Sequence, residues 1–135
     1  KVINDRFGHA QGDQLLAAVA TTLRSGTRAV DTVARLGGDE FGLLWVDTDG
    51  ATAEALTVRL RAALQATMAG YGWIVTFSIG AVTFLSPPLS VDDMLGHADQ
   101  LMYEAKRSGK DAARFQVIGT QLSLPLDADR ASASA

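Results

Sequence analysis

Asp39 and Glu40 stand side by side directly after Gly37 and Gly38, between the apolar runs Thr32-Val33-Ala34 and Phe41-Gly42-Leu43-Leu44-Trp45-Val46. Two adjacent carboxylates offer hard oxygen ligands suited to Mg²⁺. Glycines beside them let backbone N–H groups approach a ligand closely. Further along, Lys106 and Lys110 would share one helix face if a helix persists that far. Acids, glycines and lysines together suggest a metal–triphosphate site on a strand turn. Two-metal phosphoryl transfer needs such parts: carboxylates hold the ions, which activate an attacking hydroxyl and neutralise leaving phosphates. Plainer readings stand beside this one. Asp after Gly is ordinary turn chemistry, and lysines near a helix C-terminus compensate its dipole.

The elements that must position these groups follow from periodicity. Residues 4–13, NDRFGHAQGD, are polar and rich in turn formers. Gln14 to Arg24 then predicts a helix, with Leu15, Leu16, Val19 and Leu23 at helical spacing and Asp13 as a candidate N-cap. Thr32 to Leu36 and Phe41 to Val46 predict two strands joined by the Gly37-Gly38 turn. Ala51 to Met68 predicts a second helix, with Ala55, Leu56, Leu60 and Leu64 as its core stripe. Trp73 to Phe84 is a β-rich run in which Gly80 marks a bulge or a close approach. Ser90 caps a third helix with Asp92 and Asp93 in its first turn, running to about Lys106 and ending near Gly109. The tail from Gly119 to Ala135 is rich in Ala and Ser, and a flexible end is expected there. The order helix, strand, strand, helix, strand, helix is α+β: a ferredoxin-like sheet short of its first, central strand.

The 135 residues suit one domain, and 47% hydrophobic with 20% charged residues suits a packed core. No apolar run approaches the roughly 18 residues of a membrane span, and no signal-peptide pattern opens the chain. With no cysteine, disulfides and thiolate metal sites are excluded. A net charge of −3 leaves no electrostatic footprint for nucleic acid, so an anionic ligand must be held by local cations, helix ends or metal.

The stretch Arg35-Leu36-Gly37-Gly38-Asp39-Glu40-Phe41 resembles the signature of the GGDEF family, the diguanylate cyclases. Lys1 to Asp13, KVINDRFGHAQGD, resembles that family's FKxxNDxxGHxxGD pattern from its Lys onward. Thr76-Phe77-Ser78-Ile79-Gly80 resembles its TxSIG strand. Ala98-Asp99 followed by Met102-Tyr103-Glu104-Ala105-Lys106 resembles its ADxALYxAK helix. The resemblance implies a polymerase-palm-like, ferredoxin-type domain over residues 1–118, followed by a tail over 119–135. It implies condensation of two GTP into cyclic di-GMP with release of two pyrophosphates, each domain of a homodimer presenting one GTP to the other. It also implies Mg²⁺ or Mn²⁺, a cytoplasmic domain without membrane contact of its own, and a sensory or dimerising region upstream.

Residue by residue, the resemblance makes Asn4 and Asp13 the guanine contacts and Gly37 and Gly38 the phosphate-side turn. Asp39 becomes the essential metal-binding acid that helps activate the 3′-hydroxyl, with Glu40 in a supporting metal role. A carboxylate can accept from guanine N1–H and N2–H₂, which fits Asp13; a turn residue and a helix cap are the plainer readings of Asn4 and Asp13. His9 reads as a structural turn histidine, and Arg35 as a brace. Lys106 matches a phosphate contact. Lys110 stands where the family usually has Arg, keeping the charge without the bidentate fork, and Asp111 replaces the usual Asn and brings a negative charge nearby. Arg28-Ala29-Val30-Asp31 matches the family's RxxD inhibitory product site, with a surface ion pair as the alternative.

The family's first strand ends in DxDxFK, whose first acid is a metal ligand, and this sequence begins at the Lys. The preceding helix is also absent. A fragment is therefore expected, with its sheet lacking a central strand and half its metal carboxylates. Two functions from different classes remain: a diguanylate cyclase with product inhibition, and a non-catalytic module that binds GTP or cyclic di-GMP. A purely structural α/β domain with an acidic turn is the third.

Overall fold

The computed structural model describes residues 2–119, with side chains from residue 8 onward. The element order is α1 (Val2–Ser25), β1 (Thr32–Gly37), β2 (Glu40–Leu44), α2 (Gly50–Gly70), β3 (Ile79–Phe84), α3 (Val91–Arg107) and β4 (Ala113–Ile118). Among the described residues no helix is long and apolar enough to cross a membrane.

Helix α1 starts well before the expected Gln14. The polar stretch through residue 13 is helical, broken only at Gly8, whose φ of 78° and ψ of 164° kink the axis. Asp13 thus lies inside a helix and is not its N-cap. Turn-forming composition lost here to the continuing ladder of backbone hydrogen bonds, which tolerates isolated Gly and Asp at a modest cost. Leu15, Val19 and Leu23 are buried as their spacing requires, joined by Ala18.

Helix α2 is capped by Asp49, whose carboxylate accepts from Thr52 N–H at 2.7 Å. Its buried stripe is Ala53, Thr57, Leu60, Leu64 and Met68, while Ala55 is exposed and Leu56 half-buried. Thr57 fits the core because its hydroxyl donates to Ala53 O at 2.8 Å. Helix α3 has the expected cap: Ser90 Oγ accepts from Asp93 N–H at 3.0 Å. Its helical residues end at Arg107.

The strands form two separate two-stranded sheets among the described residues. β1 and β2 pair antiparallel, and β2 ends at Leu44, two residues short of the expected Val46. β3 pairs in parallel with β4, a strand beyond the six elements expected from the sequence. Of the run Trp73 to Phe84, only Ile79–Phe84 forms a ladder. Trp73, Val75 and Phe77 nevertheless turn inward and Ile74 and Thr76 outward, so the segment has a strand's alternation without a strand's partner.

One cluster holds the halves together. Leu15, Val19 and Leu23 of α1 meet Leu60, Leu64 and Met68 of α2, and both Val33, Phe41, Leu43 and Trp45 of the hairpin and Trp73, Val75 and Phe77 pack on them. The hairpin and residues 73–77 therefore share one helical floor with no ladder between them. Among the described residues no strand lies between them. Trp45 Nε1 is buried there without an acceptor among the described residues.

Candidate functional site

The tip of the β1–β2 hairpin is built by a register shift between Arg35 and Gly37, after which Gly37 pairs with Glu40. Gly38 takes φ of 43°, a left-handed value that glycine adopts without strain. A Cβ at Gly37 or Gly38 would meet nothing within 4 Å, so the turn is open to an approaching ligand. Arg35 fixes it from below: Nε and Nη2 both donate to Gly38 O, at 2.9 and 2.7 Å. Asp39 and Glu40 are exposed, and neither is ion-paired within the described residues.

Beside this turn, a cleft of about 420 Å³ runs between α1 and the hairpin. Asp13, Arg24 and Arg35 line it with charge, and Leu16, Val33 and Phe41 with apolar surface. A cleft that sets apolar surface beside a carboxylate suits a heteroaromatic base bearing N–H donors. Asp13 and the hairpin are thus brought together. Asn4 belongs to α1, but its side chain lies outside the described residues, as does Lys1.

The cationic partners stand elsewhere. Lys106 is exposed in the last turn of α3. Lys110 does not share its helix face: it lies beyond the helix, with φ of 63°. The helix stops because Gly109, at φ of 109°, turns the chain left-handed. Helix α3 packs on β3 and β4, and neither hairpin strand touches it. Asp111 is also not a loose charge beside the phosphate lysines. Its carboxylate pairs with Arg61 Nη2 of α2 at 3.0 Å and accepts from Gln65 Nε2 at 3.3 Å. The Arg61 hydrogen bond chiefly holds its pKa below the usual carboxylate value. Arg61 was not singled out from sequence, because a partner fifty positions away leaves no local spacing.

Arg28 and Asp31 form a closed fork: Nε donates to Oδ2 at 3.1 Å and Nη2 to Oδ1 at 2.9 Å. Asp31 also accepts from the Arg28 and Val46 amides, and its side chain is only 2% exposed. Its pKa is lowered to about 2, first by the Arg28 side-chain hydrogen bond. Arg28 remains half exposed, and Nη2 reaches on to Val46 O at 2.6 Å.

An α+β domain of palm-like kind, with two acids on a glycine turn and a cleft beside it, is the class defined here. The profile described as diguanylate cyclase, GGDEF domain, matches residues 1–112, and the chain belongs to that family. It is 35% identical over 116 residues to the probable diguanylate cyclase DgcT of Escherichia coli K12, covering 82% of this chain and 26% of that protein. The chain thus spans about a quarter of that relative's length. It resembles the crystal structure of the GGDEF domain of YfiN, also called TpbB, from Pseudomonas aeruginosa. There the TM-score is 0.61 at 33% identity, over 87% of this chain and 75% of that one. It also resembles the diguanylate cyclase SiaD of P. aeruginosa, solved in complex with its activator SiaC, with a TM-score of 0.69 at 27% identity over 84% of this chain and 44% of that one.

Proposed function

We propose that this domain acts in a diguanylate cyclase, condensing two GTP into cyclic di-GMP with release of two pyrophosphates. The observation that carries the reading is the hairpin tip: an open, left-handed glycine turn followed by two exposed carboxylates, beside a cleft edged by Asp13. Guanine enters the cleft against Leu16 and Phe41, with Asp13 accepting from its N–H edge and Asn4 as the second contact. The triphosphate crosses the Gly37-Gly38 turn, where nothing but backbone would meet it, and Lys106 and Lys110 neutralise its charge.

Among the described residues no group of three or more His, Cys, Asp or Glu could hold a metal ion. Mg²⁺ needs fewer, because it keeps several waters and binds through one or two carboxylates plus substrate phosphates. Asp39 and Glu40 therefore fit Mg²⁺ or Mn²⁺, which when bound supplies charge stabilisation and a more acidic 3′-hydroxyl. A strand seated between the hairpin and residues 73–77 would bring the second acid of the family pattern. It would also join the hairpin to the segment that runs into β3, the strand on which α3 packs. Catalysis then takes two such domains facing each other, with cytoplasmic GTP as substrate and an upstream region controlling their approach. Product inhibition falls to Arg28, held at its post by Asp31, because the carboxylate of Asp31 is already filled by four donors.

A binding module without turnover is the second reading, favoured by the separation of the acids from the lysines. Incubating the protein that carries this domain with GTP and Mg²⁺, and assaying cyclic di-GMP, distinguishes the two. Product is expected, and Asp39→Asn should reduce its rate by at least about a hundredfold, the scale of a group acting in the transition state. Cyclic di-GMP binding without any product would replace the enzyme by the sensor.

A further inference from the structure

The junction between α3 and β4 is the one place among the described residues where two adjacent non-glycine residues have positive φ. Lys110 is at 63° and Asp111 at 46°, following Gly109 at 109°. Left-handed backbone is disfavoured for an L side chain, least so for Asp and Asn, and consecutive residues there must be held by their surroundings. The hold comes from α2. Arg61 pairs with the Asp111 carboxylate at 3.0 Å and donates to its carbonyl oxygen as well. Gln65, one turn further along α2, reaches the same carboxylate. On the other side, Lys110 N–H donates to Lys106 O at 3.2 Å, tying the run back to the end of α3. Backbone and side chain of Asp111 are both gripped, while the Lys110 side chain is exposed and in no ion pair among the described residues.

We propose that the Arg61–Asp111 pair is a positioning device for Lys110, holding residues 109–111 left-handed so that the ammonium is presented off the end of α3 above Lys106. This rests on the reading of Lys110 as a phosphate contact. The physical need is specific to lysine. An arginine brings a rigid fork that orients itself on phosphate, whereas an ammonium on a flexible stem is a point charge and depends on where its backbone stands. Arg61 and Asp111 are thus positioning residues that touch no substrate.

The test uses the whole chain with Arg61→Met, Arg61→Lys, Lys110→Met and the Arg61→Met/Lys110→Met double variant. Backbone carbon shifts of Lys110 report its left-handed state without any ligand. They should lose that signature in Arg61→Met and largely keep it in Arg61→Lys. A retained signature in Arg61→Met sinks the proposal by itself. Binding of a fluorescent GTP analogue with Mg²⁺ should weaken by roughly tenfold in Arg61→Met, and by no more than that of Lys110→Met in the double variant, as coupled residues require. Additive losses would show that Arg61 acts on stability alone. Absence of binding by the unaltered chain would overturn the phosphate reading itself. Binding that is intact and unmoved by Arg61→Met would overturn only the positioning role.

Discussion

Asp31 is surrounded by donors on every side, from the Arg28 guanidinium and from the Arg28 and Val46 amides. The geometry turns a common RxxD spacing into a latch between the loop after α1 and the loop after β2. Its carboxyl pKa is lowered from 3.8 to about 2, so the stabilisation is complete above the ordinary carboxylate pKa and is lost as pH falls through 2. A carboxyl-carbon NMR titration should place the Asp31 midpoint near 2, and Arg28→Ala should move it up toward the usual range. In the active protein the same variant should relieve product inhibition while sparing turnover. An ordinary midpoint in the unaltered chain would mean that the latch is open in solution. The pairing partners of Arg28 could be proposed from spacing, but the saturation of Asp31 could not. The Val46 amide arrives from a loop fifteen positions away.

At the scale of elements, Gly80 shows how a motif can be structural. A Cβ on Gly80 would run into the Ala98 carbonyl oxygen and the Met102 amide of α3, so the glycine lets β3 and α3 meet backbone to backbone. That contact seats the helix which carries Lys106. Gly80→Ala should therefore destabilise the chain by about 1–3 kcal/mol through overpacking, read as a lower urea midpoint. An unchanged midpoint would show that the helix can retreat at no cost. From sequence alone, bulge and close approach are alternatives at Gly80, and packing selects the second. Lys106 and Lys110 would share one face if the helix persisted past Lys110. Helical spacing carried that inference only as far as the helix, which ends at Arg107.

For the molecule as a whole, the gap between two small sheets is the dominant feature. Residues 74–76 alternate like a strand, yet they join neither ladder. Backbone groups without partners exchange with solvent readily, whereas alternate amides of β3 are held by β4. Amide exchange at Ile74, Val75 and Thr76 should be at least about tenfold faster than at Ala81 and Thr83, whose N–H groups face β4 in the parallel register, as local opening energies predict. A strand supplied to the gap should slow it. Equal protection of both segments in the free chain would mean that the sheet is closed by some other pairing.

The order of helices and strands as far as α3, the cap at Ser90 and the inward face of α1 were legible from the chain, because they depend on neighbours a few positions apart. So was membership of the family, since the acidic glycine turn, the polar N-terminal stretch and the α3 pattern are local words. The helical state of residues 4–13 was not legible, nor were β4 and its pairing, the grip of Arg61 on Asp111 or the separation of Asp39 from Lys106. The first turns on a local balance between turn and helix that composition leaves nearly equal, and the others depend on contacts between distant residues, where packing and hydrogen-bond partners decide.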